Sequence, residues 1–167
     1  MASTQTWSEY NGSGGTETTS RSEANWKRID DSTTAYSSSP INSTNNENSM
    51  AKIQALKFAG TWNSLSSLTY KIDNNAPATG LSIVGSVLTA YSQPATTATG
   101  DSAMSTSGLS ANFNNSSTPF GTGTSSTTAG GTMYANALRT QLQTTSSYAG
   151  GPGDIASRTI TASWTES

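Results

Sequence analysis

Met50-Ala51-Lys52-Ile53-Gln54-Ala55-Leu56-Lys57-Phe58-Ala59-Gly60-Thr61-Trp62 is the stretch on which the fold turns. Leu56, Phe58 and Trp62 share one parity, and Ile53, Ala55 and Ala59 share the other, so a strand here carries apolar side chains on both faces. Lys52 and Lys57 fall on opposite parities and place one charge near each face. A strand of this kind belongs in a two-sheet core and ends at Gly60.

Working outward, Leu65, Leu68, Tyr70 and Ile72 suggest a second strand, stopped by the turn Asp73-Asn74-Asn75-Ala76-Pro77. Leu81 to Tyr91 is the most β-branched run and is expected to be the most buried strand. It sets Leu81, Ile83, Val87 and Tyr91 on one face and Val84, Leu88 and Ala90 on the other, with Gly85 marking a bulge. Arg158 to Trp164 alternates cleanly and reads as a closing strand after a tight turn over Tyr148 to Asp154. Met133 to Gln143 fits two templates. Tyr134, Leu138 and Leu142 recur at helical spacing and also share strand parity.

Two stretches carry little apolar content. Residues 1–24 read as a flexible N-terminal arm, interrupted at Asn11-Gly12-Ser13-Gly14-Gly15, with Trp7 as the anchor that orders it on a neighbouring subunit. Residues 92–132 have only Met104, Leu109, Phe113 and Phe120 as sizeable apolar groups. Structureless loops of that length are rare in compact domains. This one either hides two short strands, around Leu109 to Phe113 and around Phe120, or forms a projection or second arm. Residues 25–167 are expected to form one domain.

The composition agrees with a β-rich chain. Among 167 residues there are 30 Ser, 28 Thr, 13 Asn and 15 Gly, whereas Leu, Ile, Val and Phe together number 20. So low an apolar content usually accompanies disorder and high net charge, but the formal charge is only −2. Thr and aromatic residues favour strands, and Gly, Asn and Ser favour turns. The reading that satisfies both is an all-β, antiparallel β-sandwich, jelly-roll-like, with long polar loops. Such a sandwich buries little apolar surface and is expected to draw stability from self-association or a partner.

The same composition excludes most catalytic chemistry. There is no cysteine and no histidine. Serine and cysteine protease triads and the usual zinc and non-haem iron sites therefore lack their parts. No basic run exists to neutralise phosphates, and no apolar run is long enough to span a bilayer, so neither nucleic acid nor membrane is expected as a partner. The start of the chain is polar without Lys or Arg, which predicts no secretory signal and a protein made and kept in a cytoplasm.

Of the remaining candidates, Asp30-Asp31 is the one adjacent acidic pair and reads as a solvated turn. A weak calcium site would need Asp73 or Asp154 as well, and the spacing of a calcium loop is absent. Gly150-Gly151-Pro152-Gly153 precedes a strand pattern instead of a helix, so it reads as a turn, not a phosphate cradle. Asn-x-Ser/Thr matches at Asn11, Asn42, Asn114 and Asn115 are expected by chance in such a chain. Trp62 and Trp164 read as core and Trp26 as packing at a sheet edge; the alternative is an aromatic platform for a sugar.

Three stretches carry a resemblance. They are Asn25-Trp26-Lys27 with Asp30 to Tyr36 and Ser39-Pro40-Ile41; Lys57-Phe58-Ala59-Gly60-Thr61-Trp62 through Leu68; and Gln141-Leu142-Gln143 with Ala149 to Ile155 and Thr159 to Ser167. Together they resemble tailed-phage virion accessory proteins, in particular the capsid cement and decoration proteins of cyanophage-type phages. The resemblance implies that Met133 to Gln143 is strand. It implies no catalytic residue and no cofactor. It implies a structural subunit on the outer capsid surface of the virion that clamps the major capsid protein and forms a homo-oligomer, a dimer or trimer. Trp7, Tyr10, Trp26 and Tyr36 are the interface candidates. Removing residues 1–24 is then expected to abolish binding and leave the body folded. The rival readings are a tail- or fibre-associated protein or a carbohydrate-binding module in which Trp26 and nearby aromatics meet a glycan, then a surface or pilin-like subunit, and last a carboxylate-only hydrolase, for which no acidic pair is placed.

Overall fold

The computed structural model describes residues 2–42, 46–114, 116–150 and 157–167. They form an all-β, antiparallel two-sheet sandwich, with one 3-10 turn at Tyr36–Ser38. In chain order the strands are β1 (Ser3–Asn11), β2 (Thr16–Thr18), β3 (Lys52–Gly60), β4 (Ser64–Ile72), β5 (Leu81–Leu88), β6 (Leu109–Ser110), β7 (Phe113–Asn114), β8 (Ser126–Thr128), β9 (Gly131–Ala135), β10 (Ala137–Thr144) and β11 (Ile160–Glu166). The larger sheet runs β2-β1-β3-β10-β5. β9 shares the same edge of β3 as β10, and β7 flanks β9. The smaller sheet is β11-β4, with β6 and β8 sharing the far edge of β4.

The two-sided pattern of Met50–Trp62 has a direct consequence. β3 sits mid-sheet and buries both faces, so it, and not β5, is the most enclosed strand. Leu56 and Phe58 enter the main core between the sheets, with Trp62, Leu65, Leu68, Tyr70, Ile72, Ile83 and Leu138. Ile53 and Ala55 enter a second, smaller core on the outer face, with Tyr10, Tyr134 and Ala137. Fully burying a Leu, Ile or Phe side chain contributes about 1.5–3 kcal/mol. The second core therefore matters in a chain with so few of them.

The second core exists because the polar stretches fold back. Residues 92–132 are not a projection. Met104 is fully buried, and the segment before it adds to the edge of β5 through Gly85 N–H to Ser102 C=O and Met104 N–H to Ile83 C=O. It hides β6 and β7 near Leu109 and Phe113, and β8 follows. Phe120 lies outside any strand. It closes the second core edge-on against Tyr10 and Tyr91, with both centroid separations at 5.3 Å. Tyr91 follows the end of β5 and packs on the face opposite to Ile83, against the parity reading.

Residues 1–24 also differ from the arm expected of them. Ser3–Asn11 is β1, paired antiparallel with β3 from Ser3↔Gly60 to Tyr10↔Ile53, and Tyr10 is buried. Deleting it would strip one edge from the central strand, so the body cannot survive the removal of residues 1–24 intact.

Two irregularities break the parity that the sequence suggests. In β4 the register against β11 shifts between Ser163↔Thr69 and Thr165↔Ser66, which leaves one extra residue on β4. Ser67 absorbs it in the left-handed region, at φ 57°, so Leu65 and Leu68 both face the core although they are three apart. On β3, β9 and β10 differ by one residue in register around Asn136. Met133 and Ala135 face the main core before the shift, and Leu138 and Leu142 after it, whereas Tyr134 faces the second core. Met133–Gln143 is thus strand, and the spacing of Tyr134, Leu138 and Leu142 is neither a helical face nor one strand face. Gly85 is no bulge. It keeps regular pairing with Thr140, and its missing side chain admits Met104, whose Sδ would lie 2.7 Å from an added Cβ.

Candidate functional site

At one end of the larger sheet, residues 21–42 and 46–50 pack beside β1, β3 and β10. Trp26 packs against the main core and donates its indole N–H to Thr140 Oγ1 at 3.1 Å. Met50 N–H bonds to Lys27 C=O at 2.7 Å, and Gln54 Nε2 donates to Glu23 C=O at 3.1 Å. Arg28 N–H bonds to Ser39 C=O at 3.0 Å, which closes residues 28–39 into a loop.

Beneath this loop lies a buried ionic network. The Lys52 ammonium is fully buried, 3.1 Å from Glu9 Oε1, and donates to Asp31 C=O at 3.0 Å. Burial pushes Lys52 below its usual range, and the charge and hydrogen bond of Glu9 pull it back up. Asn11 Nδ2 bridges Glu9 and Asp30, and the other Asp30 oxygen accepts Gly12 N–H at 2.8 Å. Lys27, also fully buried at its side chain, reaches Asp31 Oδ1 at 2.8 Å and Thr34 C=O at 2.6 Å. Burial works against the Asp31 charge. Hydrogen bonds from Lys27, from the Thr34 hydroxyl and N–H and from the Thr33 N–H outweigh it, and hold the carboxyl well below the usual 3.8. Asp30 and Asp31 are therefore loop anchors and not the solvated turn expected, and their carboxylates serve different partners. Asp73 bonds instead to Asn74 and Thr159 N–H groups beside β11, and Asp154 lies outside the described residues. Among the described residues no cluster of three or more acidic side chains could hold a metal ion.

Among exposed Arg28, Thr33, Ser37 and Ser38, the anchored loop also presents two large apolar side chains. The exposed large hydrophobic side chains among the described residues are Ile29, 42% exposed, and Tyr36, 54% exposed, and both ride on it. The four expected interface residues thus separate. Tyr36 stands free. Trp26 braces the same segment from below. Trp7 is half-buried against Tyr70 at 5.8 Å, and Tyr10 is inside the second core. Ile29 was missed, because an isolated Ile beside Asp30-Asp31 carries no periodicity to mark it. Trp62 is buried, and Trp164 lies edge-on to Phe58 at 5.2 Å, so both are engaged with the core and form no open aromatic platform. Gly151 to Asp154 of the expected turn, Asn115, and Ser43 and Thr44 of the Asn42 match fall outside the described residues.

No family model matches this chain, nor does any curated protein or solved structure.

Proposed function

We propose that this protein is a non-enzymatic structural subunit that binds the outer surface of a tailed-phage head, as a cement or decoration protein, with loop 28–39 as its contact with the major capsid protein. The observation that carries this reading is the pairing of exposure with rigidity. Ile29 and Tyr36 are open to solvent on a loop that two buried lysines and three carboxylates hold in place. A preorganised loop loses little conformational freedom on docking, and tyrosine offers large contact area at low entropic cost. The sequence resemblance supplies the phage context, and the composition lacks imidazole and thiol groups, the commonest general base and a common nucleophile. The clamping mechanism differs from the one expected of flexible arms, because both presumed arms are folded into the body. One stiff contact per subunit, repeated over a shell, takes their place. The sugar-binding rival, in which Trp26 and nearby aromatics meet a glycan, predicts instead that a glycan protects the tryptophan fluorescence of the isolated protein.

The test is co-sedimentation with emptied phage heads and, separately, with tails. Wild-type protein should travel with heads. Tyr36→Ala combined with Ile29→Ser should release it while its circular dichroism stays that of the parent. Undiminished head binding by the double variant, or binding to tails alone, overturns the assignment.

A further inference from the structure

The chain spends its polar segments on covering strand edges. β5 is flanked by residues 102–104, β4 by β6 and β8, β9 by β7, and β1 by β2 and by Arg21 N–H on Trp7 C=O. Even the start of β1 is capped by side chains: Glu166 accepts Ser3 N–H at 2.8 Å and the Ser3 hydroxyl at 2.6 Å. Among the described residues the other outermost strands β2, β6 and β8 are only two or three residues long, and β11, with seven, is the long edge left open. It pairs with β4 along one edge, and among the described residues its other edge has no backbone partner. Within Ile160–Glu166 there is no Lys, Arg or Pro, the devices that normally keep such an edge from pairing. The bulge that disturbs the β4–β11 pair lies on β4, so β11 itself remains a regular strand with strict alternation of burial.

The direction of its free groups can be derived. Thr159 C=O accepts from Asp73 N–H, and Ser167 exchanges hydrogen bonds with Ser64. The odd-numbered residues therefore face β4, and the N–H and C=O of Ile160, Ala162, Trp164 and Glu166 point outward. An antiparallel partner strand must present outward groups at the matching positions, and a second copy of β11 does so. With the two-fold axis at Ala162, Ile160 lies opposite Trp164 of the second copy, and Arg158 lies opposite Glu166. Those side chains share one face, the same half-buried row that borders the main core at Ile160, Ala162 and Trp164. The charges are opposite at both ends, the aromatic meets a β-branched residue, and the smallest side chain sits on the axis.

We infer that the protein forms a two-fold homodimer by antiparallel pairing of β11 with β11 of a second copy, centred on Ala162, which joins the two smaller sheets into one. This interface is isologous, as two-fold symmetry requires, and closes on itself. It stands apart from loop 28–39 and from whatever that loop binds.

The chain has no cysteine, so single cysteines report the register directly. A hydrogen-bonded antiparallel pair sets its Cα atoms about 5.5 Å apart, inside the span of about 4.4–6.8 Å that a disulfide bridges. Ala162→Cys should oxidise to a covalent dimer, and Ser163→Cys, which faces Thr161 of the second copy, should not. Sedimentation equilibrium of the wild type should give twice the 17.2 kDa chain mass. Ala162→Pro should give the single-chain mass with unchanged circular dichroism, because the N–H it removes faces away from β4. A monomeric wild type, an Ala162→Pro variant that stays folded and dimeric, or crosslinking at Ser163→Cys in place of Ala162→Cys would each overturn the inference. Head binding by a monomeric chain would leave the decoration reading standing and remove only this one.

Discussion

Replacing Lys52 with Met tests the ionic network beneath loop 28–39. Met nearly matches the length of the lysine stem, so little cavity is opened. What is lost is the ammonium, with its hydrogen bonds to Glu9 Oε1 at 3.1 Å and to Asp31 C=O at 3.0 Å. Glu9 is then left 1% exposed, with Asn11 Nδ2 as its remaining side-chain donor. Removing one partner of a buried pair costs about 3–5 kcal/mol, mostly as the penalty of the stranded charge. Against a total stability of about 5–15 kcal/mol, that is a large fraction. At about 2–4 °C per kcal/mol for a chain of this size, the melting temperature should fall by roughly 6–20 °C. Urea unfolding followed by tryptophan fluorescence measures it. Adding Glu9→Gln removes the stranded charge, so Lys52→Met with Glu9→Gln should be more stable than Lys52→Met alone by about 1–3 kcal/mol. A Lys52→Met variant within about 1 kcal/mol of the parent would refute the reasoning, as would a double variant that simply adds two losses.

Two further outcomes follow from named residues. Burial raises Tyr70 and Tyr10 beyond the usual range, with nearby Glu17 adding to the effect on Tyr10, and pushes Tyr91 up to about 12, with Asp30 adding to the effect. Their folded-state values lie above the unfolded value of 10.0, so the stability they confer is complete below pH 10 and is lost as pH rises past it. Lys52 runs the other way, its contribution growing as pH climbs towards 10.5, so the decline should set in only above about pH 10. Denaturant titrations from pH 8 to pH 12 should show it, and constant stability across the upper two units would contradict it. At the β4 bulge, Ser67→Val places a β-branched residue at φ 57° and should cost about 1–2 kcal/mol, whereas Ser67→Gly should be neutral or slightly stabilising. Equal thermal midpoints for the two variants would mean that the bulge does not constrain Ser67.

The all-β character was readable in the chain because strand formation is a local property. Thr-rich, aromatic and β-branched runs separated by Gly and Asn reveal it, and the two-sided pattern of residues 53–59 even places β3 inside a sheet. β1 was not readable. Ser8, Glu9 and Asn11 are buried against polar partners, Glu17, Lys52 and Asp30, and a strand stabilised by such pairs has no hydrophobic signature to distinguish it from a polar tail. The loop site was half readable. Trp26 and Tyr36 were visible as aromatics in a polar stretch, but that one braces and the other protrudes depends on Thr140 and Asp31, the first more than a hundred residues away from Trp26.

The chain by itself determined that strands form, roughly where, and that no imidazole or thiol chemistry is possible, since these depend on residue type and near neighbours. Which edges pair, where an extra residue bulges, and which polar stretches fold back were decided only by the tertiary structure. A bulge at Ser67 or near Asn136 inverts the facing of every later side chain, and its position is set by partner strands distant in sequence. Among the described residues the same long-range pairing leaves the outer edge of β11 without a backbone partner, and no local pattern in Ile160–Glu166 announces it.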